Sequence, residues 1–506
     1  MKIASSTLCF VVVFPAFLAS LSAQTNSCEG LSLLTLPGAT ITLAQSVPAA
    51  ELPQVARAGR GAGTLHVPAF CRVAATLRPS NDSEIKMEIW LPTSGWNGNF
   101  EANGNGGWTG SINPGALADG LARGYAAAMS DLGHEGGSAS FALGHPEKLI
   151  DFGYRAAHET TVTSKAIISK FYGREPKHSY WNGCSAGGRS ALMEAQRYPA
   201  DFDGIVAGSP GLNWTGRATQ SVWVAQATHK DDASFIPAAK FALIHNAVLG
   251  ACDARDGVTD GVLEDPTRCN FDPKQLECKD ADGPACLTKP QVETARAIYT
   301  AYPDQTNKQA IFPGFERGSE LGWSTMAGPN PFGLGMDLFK YVVFQDPSWD
   351  YKTFNFATDV ARTEKADAGR MNALSPDLKA FAARGGKMIQ YHGWADPQIA
   401  PGSSVNYYKS VLEFMGGSRQ VASFYRLFMV PGMAHCGGGD GTSDFDALTA
   451  LEGWVEKDRA PDQIPASRVR GDKVDRTRPL CPYPQVAQYK GTGSTDDAVD
   501  FVCRAQ

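Results

Sequence analysis

A strand-like run, Ser179 to Asn182, enters Gly183-Cys184-Ser185-Ala186-Gly187, and a helical pattern, Arg189 to Arg197, leaves it. This G-x-S-x-G constrains the fold more than any other feature. A serine held in so sharp a turn needs a strand behind it, a helix ahead of it and glycines where neighbouring backbone comes close. The short apolar run Ile205 to Ala207 that follows has the character of a buried parallel strand. Strand-like runs also precede the turn, at Ile85 to Leu91, Asn99 to Ala102 and Tyr125 to Ser130, and the pattern between Asp151 and Phe171 is helical. This alternation predicts an α/β sheet with helical crossovers.

From about Leu212 to Ser375 the rhythm stops, giving way to aromatic and Pro-containing segments, Asp-Gly turns and four cysteines. It returns at Lys387 to His392, continues in a helix around Ser404 to Met415 and ends in a strand from Ser423 to Val430. The expectation is therefore a discontinuous sheet domain, 24–211 and 376–506, closing around an inserted domain over 212–375. With 506 residues, 43% of them hydrophobic, the chain can bury a core of that size. The formal net charge is −6 and no run of basic residues is present, which excludes a sequence-independent nucleic-acid binder.

The N-terminus reads as a secretory signal over 1–23: Lys2, the apolar run Leu8 to Leu18, then the small residues Ala19, Ser20, Ser22 and Ala23. Pro15 interrupts that run, and it falls short of the roughly 20 residues of a bilayer span. No later stretch reads as long enough either, so a secreted protein, extracellular or periplasmic, with no membrane partner is expected. Cys9 lies within the signal, leaving ten cysteines and no CxxC pair, which favours disulfides over metal ligands. Cys252 with Cys269, Cys278 with Cys286 and Cys481 with Cys503 would each close a short loop. Asn81-Asp82-Ser83 and Asn213-Trp214-Thr215 are glycosylation sequons.

A serine hydroxyl is a weak nucleophile near neutrality and needs a base with a third group to orient it. In α/β-hydrolases these follow in the order Ser, acid, His. His435, on the loop after the Ser423 to Val430 strand, fits the base, and Asp396, just beyond the strand ending at His392, fits the acid. Both lie where open parallel sheets build their sites. Oxyanion donors are expected from the N–H groups of Ala186 and Gly107, the latter in Gly104-Asn105-Gly106-Gly107-Trp108, with Gly106 next in line. Cys184 precedes Ser185 and Cys436 follows His435, so a serine and histidine within reach of one another would bring the two cysteines to bridging distance.

Taken together, these residues resemble the tannase and feruloyl esterase family of exported α/β-hydrolases. The resemblance runs through Phe70-Cys71-Arg72-Val73, Gly104 to Gly107, Gly183-Cys184-Ser185-Ala186-Gly187-Gly188-Arg189, Asp203-Gly204-Ile205-Val206-Ala207-Gly208, His392 to Asp396 and His435-Cys436. It implies an α/β-hydrolase fold with a large inserted lid domain, the triad Ser185, Asp396 and His435, and the bridge Cys184–Cys436. It also implies a structural Ca²⁺ in the lid, held by Asp253, Asp256 and Asp260 side chains and Val258 and Val262 carbonyls, and no organic cofactor. The spacing is not that of an EF-hand, but three carboxylates with backbone carbonyls can meet the calcium preference for about 6–8 oxygens. The implied activity is a secreted serine carboxylic-ester hydrolase acting on aromatic acyl esters through an acyl-enzyme. Feruloyl esters of plant cell-wall polysaccharides come first. Galloyl esters of tannins and mono-hydroxyethyl terephthalate are alternatives, and a peptidase or a non-catalytic binding protein on the same fold are readings from other classes. A free carboxylate on the substrate would call for an arginine, with Arg362 and Arg370 as candidates.

Overall fold

The computed structural model describes residues 27–54, 63–303 and 310–505, so the expected signal over 1–23 lies outside the described residues. Nine strands form the main sheet: β1 (Ala39–Val47), β2 (Phe70–Leu77), β3 (Ile85–Pro92), β4 (Phe100–Asn103), β5 (Ala126–Ser130), β6 (Ser179–Cys184), β7 (Gly204–Gly208), β8 (Lys387–Gly393) and β9 (Tyr425–Val430). Their order across the sheet is β1-β2-β3-β5-β4-β6-β7-β8-β9. The β1, β2, β3 and β5 neighbours pair antiparallel, while β5-β4-β6-β7-β8-β9 run parallel. A mixed sheet of this order, parallel from β5 through β9 and followed by helices, is the α/β-hydrolase fold.

Strand alternation sends residues to two covered faces, as a parallel sheet requires. Trp181, Ile205, Ala207, Met388 and Leu427 pack on one face, with Ile167 and Ile168 of helix Ala156–Tyr172 and Leu192 and Met193 of helix Ala186–Arg197. Tyr180, Val206, Ile389 and Phe428 pack on the other, against Leu448, Leu451 and Trp454 of helix Ala447–Lys457. The reversal of strand order at β4 and β6 places the turns after these strands side by side. That is where the candidate residues gather.

Among the described residues, the chain between β7 and β8 adds no strand to this sheet. Part of it builds a core of its own, with Val224, Phe241, Ile244, Val248, Val292, Ile298 and Trp323, tied by Cys252–Cys269 and Cys278–Cys286. Another part, from Met336 through Phe339, Val343 and Phe354 to Met371, packs into the main core instead. One sequence expectation needs correcting here, because residues Asp232–Asp256 are apolar and long enough by composition to cross a bilayer. Only Phe241–Cys252 of that stretch is α-helical, and its Phe241, Ile244 and Val248 are buried in the insertion's core. Cys28–Cys71 ties the N-terminal segment to β2. Cys481–Cys503 joins the end of a hairpin, Ile464–Arg470 with Lys473–Leu480, to the last strand, Phe501–Ala505.

Candidate active site

Ser185 sits between β6 and helix Ala186–Arg197 at φ +63° and ψ −119°. A non-glycine residue held outside the populated regions costs about 1–3 kcal/mol, and the surrounding hydrogen bonds impose it here. Its N–H donates to the Gly208 carbonyl at the end of β7 (2.9 Å), and its carbonyl accepts from Arg189 (3.0 Å) and Gly211 (3.1 Å). The half-buried Ser185 lies at the N-terminus of the helix, beside the N–H of buried Ala186, for which no hydrogen bond is found among the described residues.

The loop after β4 runs against this turn. Gly104 N–H donates to Asn182 O (3.1 Å), and a Cβ on Gly104 would stand 2.4 Å from the Gly187 Cα. Only two glycines permit that approach. Gly107 adopts φ +53° and faces Leu334 of the insertion, whose carbonyl accepts a hydrogen bond from Trp108 Nε1 (2.9 Å). The insertion thus fixes the loop that carries the second expected oxyanion donor. Gly104→Ala should therefore force loop and helix apart, costing about 1–3 kcal/mol. It should depress turnover more than substrate binding; unaltered turnover in steady-state kinetics would contradict this packing.

Asp396 is fully buried beyond β8, with both carboxylate oxygens engaged. Oδ1 accepts from the N–H groups of Gln398 (2.8 Å) and Ile399 (3.0 Å). Oδ2 lies 2.7 Å from His435 Nδ1 and 3.1 Å from His392 Nε2. Burial alone would raise this carboxyl, but its attraction to a protonated His435 and the bonds from the two imidazoles outweigh it and hold it well below the usual carboxylate range. The loop bearing His435 is pinned to the Asp396 turn by Ala395 N–H to Met433 O (3.0 Å). Cys184 and Cys436 are bridged, with Cα atoms 6.0 Å apart, so the flanks of Ser185 and His435 are covalently joined. Among the described residues no hydrogen bond joins the Ser185 hydroxyl to the His435 ring; catalytic hydrogen bonds are often long in substrate-free structures.

His392 and Arg217 were not singled out by sequence reasoning. His392 had a signal, its i, i+4 spacing to Asp396 across the strand end, whereas Arg217 had none. Arg217 is 4% exposed, stacks over Phe332 (4.9 Å) and has a buried Nε without a hydrogen-bond partner. Burial brings its guanidinium down to about 10, with the Asp396 charge working in the other direction. Arg362 stacks over Phe344 instead (4.3 Å), and Arg370 bonds the Ala366 carbonyl (3.0 Å). The Asn213 sequon is used internally, since its side chain caps helix Trp214–Thr228 through Gly216 N–H (2.9 Å), whereas Asn81 is exposed.

The acidic loop expected to hold calcium follows helix Phe241–Cys252 and is closed by Cys252–Cys269. Asp253 accepts from Gly261 N–H (2.9 Å), Asp256 from Val258 N–H (2.9 Å) and Asp260 from Val262 N–H (3.2 Å). Asp260 also pairs with Arg478 (2.7 Å) and Arg476 (3.2 Å). Burial, with further negative charge nearby, pushes Asp256 up to about 6 and Glu264 up to about 8. The three aspartates do not bring their oxygens within 4.8 Å of one another. The donor set is all oxygen, and a bound hard divalent cation would offset the burial and like-charge crowding that disfavour the ionised forms of Asp256 and Glu264.

A family model described as tannase and feruloyl esterase matches residues 71–504. The chain is 41% identical to an uncharacterized esterase of Xanthomonas campestris, the match covering 94% of this chain and 91% of that one. It is 33% identical to a protein of Aspergillus fumigatus named probable feruloyl esterase B-1, covering 92% and 91%. Among solved structures it matches feruloyl esterase B of Aspergillus oryzae with a TM-score of 0.87 at 31% identity, covering 96% of this chain and 100% of that one. The tannin acyl hydrolase of Aspergillus niger shares the fold, with a TM-score of 0.80 at 22% identity, covering 97% and 96%.

Proposed function

The chain belongs to the tannase and feruloyl esterase family and is a carboxylic ester hydrolase, and from that premise we propose an exported enzyme that uses Ser185 to cleave feruloyl esters of plant cell-wall polysaccharides. The observation that carries the serine mechanism is the joining of Ser185, in its strained turn, to a His435–Asp396 pair through Cys184–Cys436. Ser185 Oγ attacks the ester carbonyl as its proton passes to His435 Nε2. Asp396 holds Nδ1–H and stabilises the imidazolium, and the Ala186 and Gly107 N–H groups receive the oxyanion. Collapse of the tetrahedral intermediate expels the alcohol, which takes its proton from His435. Water activated by the same imidazole then releases the aromatic acid.

The feruloyl assignment rests on relatives so named at above 30% identity, whereas the tannin acyl hydrolase likeness extends to the fold alone. Export is supported by five disulfides, which an oxidising compartment maintains. Hydrolysis of methyl ferulate, methyl gallate, mono-hydroxyethyl terephthalate and a p-nitrophenyl ester tests the substrate choice. Methyl ferulate is expected to give the highest kcat/KM, and preference for the gallate or terephthalate ester would replace that assignment.

Asp253, Asp256 and Asp260, with the Val258 and Val262 carbonyls, would hold a Ca²⁺ whose chemistry is charge neutralisation rather than catalysis. Calcium at a hundredfold excess over its Kd is expected to stabilise the fold by about 2.7 kcal/mol. Thermal unfolding after chelation and after calcium is restored checks this, and Asp256→Asn should abolish the difference. An identical Tm in both states of the unsubstituted protein would remove calcium from the proposal.

A further inference from the structure

Of the two histidines on Asp396, only His435 has a part in the chemistry above. His392 is the last residue but one of β8 and is fully buried. Its Nε2 lies 3.1 Å from both Asp396 Oδ2 and the Ile399 carbonyl, and its Nδ1 lies 2.7 Å from the hydroxyl of buried Ser404, in the first turn of helix Gly402–Phe414. A nitrogen facing two acceptors carries the proton. The other nitrogen of a neutral ring then accepts from the serine hydroxyl, which is the one arrangement that satisfies every atom with an uncharged imidazole.

We propose that His392 is a positioning residue of the ester hydrolysis, fixing the Asp396 carboxylate and sharing its negative charge so that the carboxylate keeps the His435 ring correctly turned. The inference rests on Ser185, His435 and Asp396 acting as described above. Its support is the saturation of the carboxylate. Two backbone N–H groups occupy Oδ1, and the two imidazoles divide Oδ2, leaving no orientation in which Asp396 could turn away from His435 without losing a hydrogen bond. Ser404 extends the chain by one link, so the order of support runs Ser404, His392, Asp396, His435. The other titratable or charged groups that act on Asp396 are His435, from the loop after β9, and Arg217, from helix Trp214–Thr228.

Removing the His392 donor concentrates the carboxylate charge toward His435 and strengthens its hold on the protonated ring. The acid limb of the kcat/KM profile should then move to higher pH. The test measures kcat, KM and pH profiles on one ester for His392→Leu, His392→Gln, Ser404→Ala and Ser185→Ala. His392→Leu is expected to lower kcat about 10–100-fold with KM within about twofold, and to shift the acid limb upward by roughly half a pH unit. His392→Gln, whose amide can still donate, should regain most of the loss, and Ser404→Ala should move both quantities the same way by less. A folded His392→Leu with wild-type kcat and acid limb overturns the inference. If His392→Leu does not fold, Ser404→Ala decides, and its having a wild-type profile overturns the inference equally. Ser185→Ala separates the two readings: full activity there overturns the serine mechanism itself, whatever the His392 variants do.

Discussion

Ser185→Ala is expected to abolish ester hydrolysis, lowering kcat on the order of 10⁶-fold, while the protein keeps its fold and its melting temperature. The magnitude follows from the way such a unit fails: without the nucleophile, the base and its acid have nothing to activate, and only the oxyanion donors and substrate binding remain. The fold should survive because the φ of +63° at Ser185 is imposed by its backbone bonds to Gly208, Arg189 and Gly211, none of which involves the hydroxyl. Two measurements check this. Steady-state turnover should vanish, and labelling by a fluorophosphonate, complete in the parent protein, should be lost. A variant that still hydrolyses ester at a tenth of the parent rate would show that another residue attacks.

The second large effect concerns the bridge beside the nucleophile. In the double variant Cys184→Ser, Cys436→Ser the unfolded chain regains the freedom of a loop spanning 252 positions, a loss of about 5 kcal/mol by chain entropy. For comparison, removing Cys481–Cys503, with a separation of 22, should cost about 3 kcal/mol. Guanidinium denaturation measures both. Activity distinguishes them, because the first bridge ties the His435 loop to the Ser185 turn, whereas the second joins the C-terminal hairpin to the last strand. The first variant should lose turnover even under conditions where it is fully folded, and the control should not. Equal activity in the two would reduce the first bridge to a fold staple.

The candidate site was largely legible in the sequence because its parts are punctuated. Ser185 lies in a glycine-marked turn, and His435 and Asp396 each follow a run that β9 and β8 bear out. Four of the bridges could be anticipated from cysteine spacing or from the neighbours of Ser185 and His435, while Cys28–Cys71 could not, since nothing local connects the two. The buttress on Asp396 was missed for a different reason. His392 sits at a strand end where a histidine is usually a satisfied core residue, and Ser404 looks like any serine near a helix start. Their roles exist only once β8 and helix Gly402–Phe414 are packed together. The division of the insertion was likewise illegible: Phe339 and Val343, like Phe241 and Val248, are apolar residues at a helical spacing, and sequence does not say which core each pair enters. The β1 and β2 strands and the C-terminal hairpin escaped notice because their alternation is broken by small and charged residues.

The bridge between Cys184 and Cys436 has a further consequence for how the molecule ages. Everything between β7 and β8, with its exposed loops, lies inside the span the bridge closes. A protease that cuts once anywhere in that span produces two polypeptides that stay linked beside Ser185 and His435. Outside a cell, where proteolytic nicks accumulate and no chaperone repairs them, such a molecule keeps its reacting groups tethered to one another after its backbone is no longer continuous.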